Sequence, residues 1–542
     1  MTPAADLLIR GQVVLAARPS GLELAEAIGI ADGRVIAAGS WDEVRDRGAP
    51  GVRVVDARDA AVIPGLHDFH IHLVGLARSR RAVRLDDARD AKEVAERLAR
   101  AAAQTPRGGW ITGRGWNEAQ LASGVEALQA AAGEHAAFLS SHDGHSAWAS
   151  STARRLAGLG PTTPDPAGGR IERDEHGEPT GILREIALEV VAVHVARLQG
   201  EALRPPLDET LRELAAMGVT GASEAGDYTD ENGVGADAAL GDSYSTLTDL
   251  GDLVDGRLRL TLGIPADAIA AAAERSLRTG MRINGHGTMR FGWAKEYADG
   301  ALGSGTAALL EPATCGQGDS GILRVSGSEL DTLLAASRPA GIGTAIHAIG
   351  DRAAREVLDA LARARSRLRG APDDRIEHVQ LLHATDAPRF AALGVTASVQ
   401  PIHAAADRDL VESCWDGRQD GAYAWRRLAD AGALLAAGSD APVESANPWL
   451  GIFAAVHRRL AGDGRGDWRP QQALTLTEAL SAYTLAPAAA IGAVDEGHLR
   501  TGARADLAIL SVPLDTLLAG DESLADVRSV LTLVEGREAA LA

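Results

Sequence analysis

Between residues 61 and 439, short apolar runs alternate with longer Ala-, Leu- and Arg-rich stretches of helical pattern. This alternation constrains the fold more than any other feature. Parallel strands need crossovers long enough to hold a helix, and strands apolar on both faces need helices to cover them. The runs 61–67, 218–224, 258–263, 290–297, 342–347, 375–379, 395–399 and 433–439 supply the eight strands that a closed barrel requires. The fold class read from them is α/β, a TIM-like (β/α)8 barrel. The interval 75–215 is too long for one crossover and is expected to hold a large insertion after the first barrel strand, capping the barrel mouth.

The ends of the chain read differently. Residues 6–11, 26–30 and 34–39, and again 505–510 and 530–536, are short strand-like runs set off by Gly and Asp-Gly. Chain ends commonly lie close together. Residues 1–60 and 495–542 are therefore expected to form one small β-sandwich domain beside a barrel of residues 61–494.

Ionisable side chains close several of the barrel runs. His70 and His72 lie two apart in Pro64-Gly65-Leu66-His67-Asp68-Phe69-His70-Ile71-His72. On a strand they share one side and can converge on a metal ion. Fifteen histidines in 542 residues give about 0.4 such pairs by chance, so the pair alone is weak. Lys295, His347, His378 and Asp440 fall at the C-terminal ends of later runs, the face on which barrel enzymes build their active sites. An ionisable group ending an apolar run needs a partner or a metal, because burying it alone is costly.

The ordered set resembles the amidohydrolase superfamily, in particular its amidohydrolase-3 branch, which includes N-substituted formamide deformylases. The resemblance rests on the Pro-Gly-x-x-Asp-x-His-x-His start, Lys295-x-x-x-Asp-Gly-x-x-Gly-Ser304, His347-Ala-Ile-Gly-Asp351, Arg375-Ile-Glu-His378, Val399-Gln-Pro-x-His403 and Gly438-Ser-Asp440. Asp143-Gly-His145-Ser and Gly168-Gly-Arg-Ile171 add to it. It implies two divalent metal ions, zinc by default for imidazole and carboxylate ligands. Lys295 would be carbamylated and bridge them, since an ammonium cannot ligate a cation whereas a carbamate can. His70 and His72 would hold one metal, His347 and His378 the other, and Asp440 would contact the first metal and shuttle the proton. The implied activity is hydrolysis of a non-peptide, amide-type C–N bond. A mononuclear deaminase or cyclic-amidine hydrolase ranks second because Lys295 is present, and a non-catalytic relative ranks lower because Asp440 is; carbamate or ester hydrolysis stays open as an alternative, since the same hydroxide would attack each.

Other residues carry softer expectations. His145 would bind substrate or stabilise developing charge; Trp116 and His403 would contact substrate, and Asp407 would line the mouth. Trp110 and Trp148 are read as pocket wall or packing. Glu377 and Glu296, one position from a ligand, should face the other side of their strands and act structurally. His142, His176, His194, His286 and His383 are not read as ligands, and Cys315 is read as a small hydrophobe. The chain departs from the family pattern at His67 and Phe69, and Gly305-Thr306 follow Ser304 where relatives commonly carry Arg.

A formal charge of −20 and the lack of a basic stripe exclude a polyanionic partner such as nucleic acid. No apolar stretch reaches membrane-spanning length. The start, Met1-Thr-Pro-Ala-Ala-Asp6, lacks the parts of a signal peptide, and only Cys315 and Cys414 occur. These features favour a reducing cytoplasm. The expected partner is a small-molecule substrate, and a homo-oligomer, a dimer by prior, is the expected assembly.

Overall fold

The computed structural model describes residues 4–539 apart from 117–124, 143, 167, 196–198, 227–237, 316–317 and 368–373. Its centre is an eight-stranded parallel sheet. In chain order the strands are β1 (Leu66–Ile71), β2 (Val219–Glu224), β3 (Arg259–Pro265), β4 (Met289–Tyr297), β5 (Thr344–Ala348), β6 (Asp374–His378), β7 (Val395–Val399) and β8 (Leu435–Ala437). Each pairs with its sequence neighbours. Every residue of β2, β3, β5, β6 and β7 is buried, as barrel strands filled on one side and covered by helices on the other must be.

The first strand begins later than the apolar run 61–67 suggests. Residues up to Pro64 belong to another strand, Gly48–Pro64, and β1 starts at Leu66. Gly65 makes the passage between the two sheets, where a Cβ would lie 2.0 Å from Thr220 Oγ1. The apolar run is continuous because both strands are buried, so hydrophobicity alone does not mark the break.

Gly48–Pro64 lies in a seven-stranded sheet that gathers both ends of the chain. It pairs parallel with Ala5–Arg18 and antiparallel with Leu507–Leu510. Leu7, Ile9, Val13, Ile28, Val62, Leu507 and Leu533 form its own core. Between β1 and β2 the chain builds a third, six-stranded sheet from Val83–Arg84 to Pro179–Glu185, backed by helices Ala91–Gln104 and Val125–Ala132. Trp116 and Trp148 are fully buried in the core of this cap. Among the described residues no helix is long and apolar enough to cross a membrane.

Cys315 is not a packing thiol. It is bonded to Cys414, a pairing that the expectation of a reducing compartment does not anticipate. The backbone brings the two together, with Thr314 N donating to Cys414 O, so the loop after β4 and the helix Arg408–Cys414 after β7 are tied side by side.

β1 and β8 stand at opposite ends of the ladder order, and a different set of bonds closes the barrel between them. Asp440 N donates to His70 O at 2.7 Å, and His72 N donates to Ala441 O at 2.8 Å. The Asp68 carboxylate accepts from Ser439 N at 2.9 Å and from His70 N at 3.3 Å. Gly438 makes this approach feasible, since a Cβ there would meet His70 N at 2.3 Å and Asp68 Oδ1 at 2.9 Å. The nearer obstacle is backbone and cannot rotate away. Gly438→Ala should therefore open the seam and destabilise the fold by about 1–3 kcal/mol, read as a lower thermal midpoint with reduced metal retention; an unchanged midpoint would show the seam to be loose.

Candidate metal centre

The seam brings the start of the barrel against its end, and so gathers side chains from distant parts of the sequence. His70 is fully buried, and its Nδ1 lies 2.6 Å from Glu377 Oε2. Its Nε2 faces Asp440 Oδ1 at 3.3 Å, and His72 Nε2 faces the same oxygen at 3.2 Å. On the other carboxylate oxygen, His378 Nδ1 lies at 3.9 Å and His403 Nε2 at 3.6 Å. His347 packs against His378 with ring centres 4.5 Å apart. Lys295, near the end of β4, is buried, with its Nζ 4.7 Å from the centre of the Tyr297 ring. His70, His72, Lys295, His347, His378 and Asp440 all line one cavity of about 1240 Å3.

The donor set fits a metal. Donor atoms of His70, His378 and Asp440 lie within 4.8 Å of one another. The buried nitrogens His70 Nε2, His347 Nδ1 and His378 Nδ1 have no hydrogen-bond partner among the described residues. Such atoms are costly to bury unless something else satisfies them. On two of the rings the opposite nitrogen is engaged: His70 Nδ1 by Glu377, and His347 Nε2 by Gly300 O at 3.0 Å. This is how a protein fixes the tautomer that turns a lone pair toward a metal. Burial holds His347 and His378 well below the usual histidine range, so both rings are neutral. Burial acts to raise Asp440, but His70 and His72 outweigh it and hold the carboxylate well below its usual range.

Glu377 does not keep to the far side of its strand. It is completely buried beside His70, with its other oxygen 2.5 Å from Arg375 Nε. The pleat rule fails because His378 and Val379 adopt positive φ, 72° and 48°, so regular alternation ends at Glu377. Burial would raise this carboxyl, yet Arg375 and His70 keep it well below the usual range. Arg375 is held in turn by Phe69 O at 2.8 Å and by the Phe69 and Trp293 rings, whose centres lie 4.5 and 4.3 Å from its guanidinium carbon. The unusual Phe69 thus builds the wall behind Arg375 and Glu377, which face His70. Asp299, to which the sequence reading assigns no role, accepts from the backbone N–H groups of Ala308, Ile349 and Gly350. It ties the loop after β4 to the end of β5, beside His347. Glu296 is partly buried at the end of β4 and accepts from Tyr297 N.

The cap supplies the roof. His145 stands with its ring 5.2 Å from His347, and its Nδ1 meets Glu185 Oε2 at 3.0 Å; Asp143 of the same motif lies outside the described residues. Trp116 lines the cavity with its indole N–H anchored on Leu139 O at 2.7 Å. His403 and Asp407 also line it, His403 with Nδ1 3.2 Å from Gln380 Nε2 and Asp407 accepting from Tyr423 OH at 2.5 Å. His67 turns to Ser223 Oγ at 3.0 Å and does not line the cavity. His142 does line it and joins cap to barrel: its Nε2 contacts Glu444 at 3.1 Å and its Nδ1 lies 3.7 Å from Asp86.

The sequence profile of the amidohydrolase family matches residues 53–540. The chain belongs to the amidohydrolase family of metal-dependent hydrolases. It is similar to the N-substituted formamide deformylase of Arthrobacter pascens, 29% identical over 94% of each chain. It is also similar to Protein LONG AFTER FAR-RED 3 of Arabidopsis thaliana, 30% identical over 94% of this chain and 87% of that one. Among solved structures it resembles an uncharacterized metal-dependent hydrolase from Pyrococcus horikoshii, 27% identical, with a TM-score of 0.74 over 95% of this chain and 99% of that one.

Where amidohydrolase-family members commonly carry Arg after the Gly-Ser element, this chain uses the loop differently. The Ser304 and Thr306 hydroxyls turn to Glu185. A guanidinium still reaches the cavity, from Arg324 further along the loop. It lies 5.0 Å from the centre of the Tyr297 ring and 3.5 Å from Glu185.

Two outcomes follow from these contacts. Glu377→Gln removes the charge that orients His70 and should weaken metal binding about 10- to 100-fold in a chelator competition assay; unchanged affinity would mean that Glu377 only packs. Contacts with Asp86 and Glu444 raise His142 from 6.5 to about 10. A histidine raised on folding contributes stability that is complete below its unfolded value and lost as pH rises through the folded one. The thermal midpoint should therefore fall between pH 7 and 10, and His142→Gln should flatten that fall.

Proposed function

We propose that this chain hydrolyses a non-peptide, amide-type C–N bond of a small molecule at a centre of two divalent metals, zinc by the chemistry of the ligands, bridged by carbamylated Lys295. The observation that carries the reading is the convergence of unsatisfied buried imidazole nitrogens on the Asp440 carboxylate. Lys295 suits the bridging role because it is buried beside these side chains, close enough for its charge to act on His347 and His378. In its neutral form its amine can add to carbon dioxide, releasing a proton and leaving an anionic oxygen donor. The name of the formamide-cleaving relative supports the bond type.

Metals bound here would lower the pKa of a water molecule and polarise the scissile carbonyl. The remaining work falls to the protein. Asp440 takes the proton released as water adds to the carbonyl carbon and passes it to the departing nitrogen, so that the C–N bond breaks to a carboxylic acid and an amine. Its two oxygens suit both halves, one facing His70 and His72, the other His378 and His403. Glu377 holds His70 in place. His145, Trp116 and His403 line the cavity around this carboxylate as contacts for the substrate.

The test is turnover by metal-loaded protein on a panel of matched amides, carbamates and esters. Asp440→Asn should reduce amide hydrolysis by about 10²- to 10⁴-fold while the fold is kept, and labelled bicarbonate should give a carbamate carbon signal that Lys295→Met lacks. Retained turnover in Asp440→Asn would overturn the proton-shuttle role, and an unchanged spectrum in Lys295→Met would overturn the carbamate.

A further inference from the structure

The cap strand Pro179–Glu185 ends on a residue in an unusual state. Glu185 has φ 52° and ψ −134°, a region that residues with a Cβ occupy only where their surroundings compel it. Its side chain is completely buried. Burial acts to raise its carboxyl, but His145, Thr306 and Arg324 outweigh that and hold it below the usual carboxylate range. A buried carboxylate on a strained backbone is costly to keep, and no part of the chemistry described so far uses it.

Glu185 is tied to His145 twice. Its backbone N–H donates to His145 O at 3.0 Å, and its Oε2 lies 3.0 Å from His145 Nδ1. The two residues meet because the strands Pro179–Glu185 and Ser146–Ala149 pair antiparallel, with Arg184 opposite Ser146. A carboxylate on Nδ1 fixes both the tautomer and the swing of an imidazole. The ring held in this way lines the cavity, its centre 5.2 Å from that of His347.

The other oxygen of Glu185 bears on the barrel. Oε1 accepts from Thr306 Oγ1 and lies 3.5 Å from Ser304 Oγ. It also packs on Gly300, where a Cβ would stand 2.4 Å from it. Gly300 O is the group that meets His347 Nε2 at 3.0 Å. One carboxylate thus touches His145 in the cap and the peptide that steadies His347 in the barrel.

We infer that Glu185 is a positioning residue for the reaction: it fixes the His145 ring beside His347, so that His145 meets the carbonyl oxygen of the substrate as negative charge develops there. The inference rests on the hydrolase reading. Stabilising a charge that exists only in the transition state raises kcat without tightening substrate binding, and this separates the role from packing.

The test uses metal-loaded protein and whichever member of the amide, carbamate and ester panel it turns over best. Glu185→Gln keeps the size of the side chain and an oxygen for Thr306, but loses the charge that holds His145. It should lower kcat about 10- to 100-fold with KM and bound metal unchanged. His145→Ala should cost kcat as much or more. The double variant should be no slower than His145→Ala alone, because residues that act as a unit do not add. Effects that multiply, or an unchanged kcat in Glu185→Gln, would overturn the inference and leave the hydrolase reading standing. An equal loss in Thr306→Val would do the same, since that variant removes a contact of the carboxylate and keeps His145. Should Glu185→Gln not fold, the nitrogen spectrum of ring-labelled histidine in the wild type decides. The His145 signal, identified by its loss in His145→Ala, must show a hydrogen on Nδ1; a bare Nδ1 overturns the inference. A wild type that turns over nothing in the panel sinks the hydrolase reading instead, and the inference falls with it.

Discussion

Closing an eight-stranded sheet forces its first and last strands together, and in this protein the closure is made by a few backbone bonds around Asp68, His70 and Asp440. Asp68 accepts from Ser439 and His70, while His70 and His72 exchange backbone bonds with Asp440 and Ala441. The same residues that close the wall carry the first and last candidate donor groups of the site. Stability and function are therefore not separable here. A shift of the seam by a few tenths of an ångström would move His70, His72 and Asp440 relative to one another before it exposed any core side chain. Packed interiors resist such shifts because they contain little free volume.

Behind the seam, the centre depends on charges kept out of water but never left alone. Arg375, Glu377 and His70 form a chain of contacts, backed by the Phe69 and Trp293 rings. Asp299 and Asp68 are met instead by backbone N–H groups, and burial pushes them up to about 7 and about 6. A buried charge with one partner removed costs far more than the pair contributes. These contacts are best understood as positional: they hold imidazoles and carboxylates in an orientation that solvent-exposed side chains would not keep.

Much of this was legible in the sequence. The eight parallel strands show as apolar runs because they are buried on both faces, and His347, His378 and Asp440 stand out because each ends such a run. The start of β1 was misplaced because Gly65 joins two buried strands without a polar break. Glu377 was misread because alternation assumes an unbroken pleat, and His378 leaves it. The seam could not be seen at all, since Asp68 and Ser439 are 371 residues apart and nothing local marks either as a partner. The cap sheet, with its mixture of parallel and antiparallel pairs, has no single period to read. Arg324 takes up a cationic position near the loop that lacks its usual arginine, which only three dimensions reveal.

The seam also sets an order of events. His70 and His72 are made early in the chain and Asp440 late, with the whole cap and the seven further barrel strands between them. Contacts of such long sequence separation form slowly, because the closure entropy is spent before the contact repays it. Until β8 is in place, His70 and His72 have no Asp440 carboxylate opposite them. Metal captured at that stage would be held by an incomplete set. β8 thus acts as a gate: the convergence of His70, His72 and His378 on Asp440 exists only when the wall is complete.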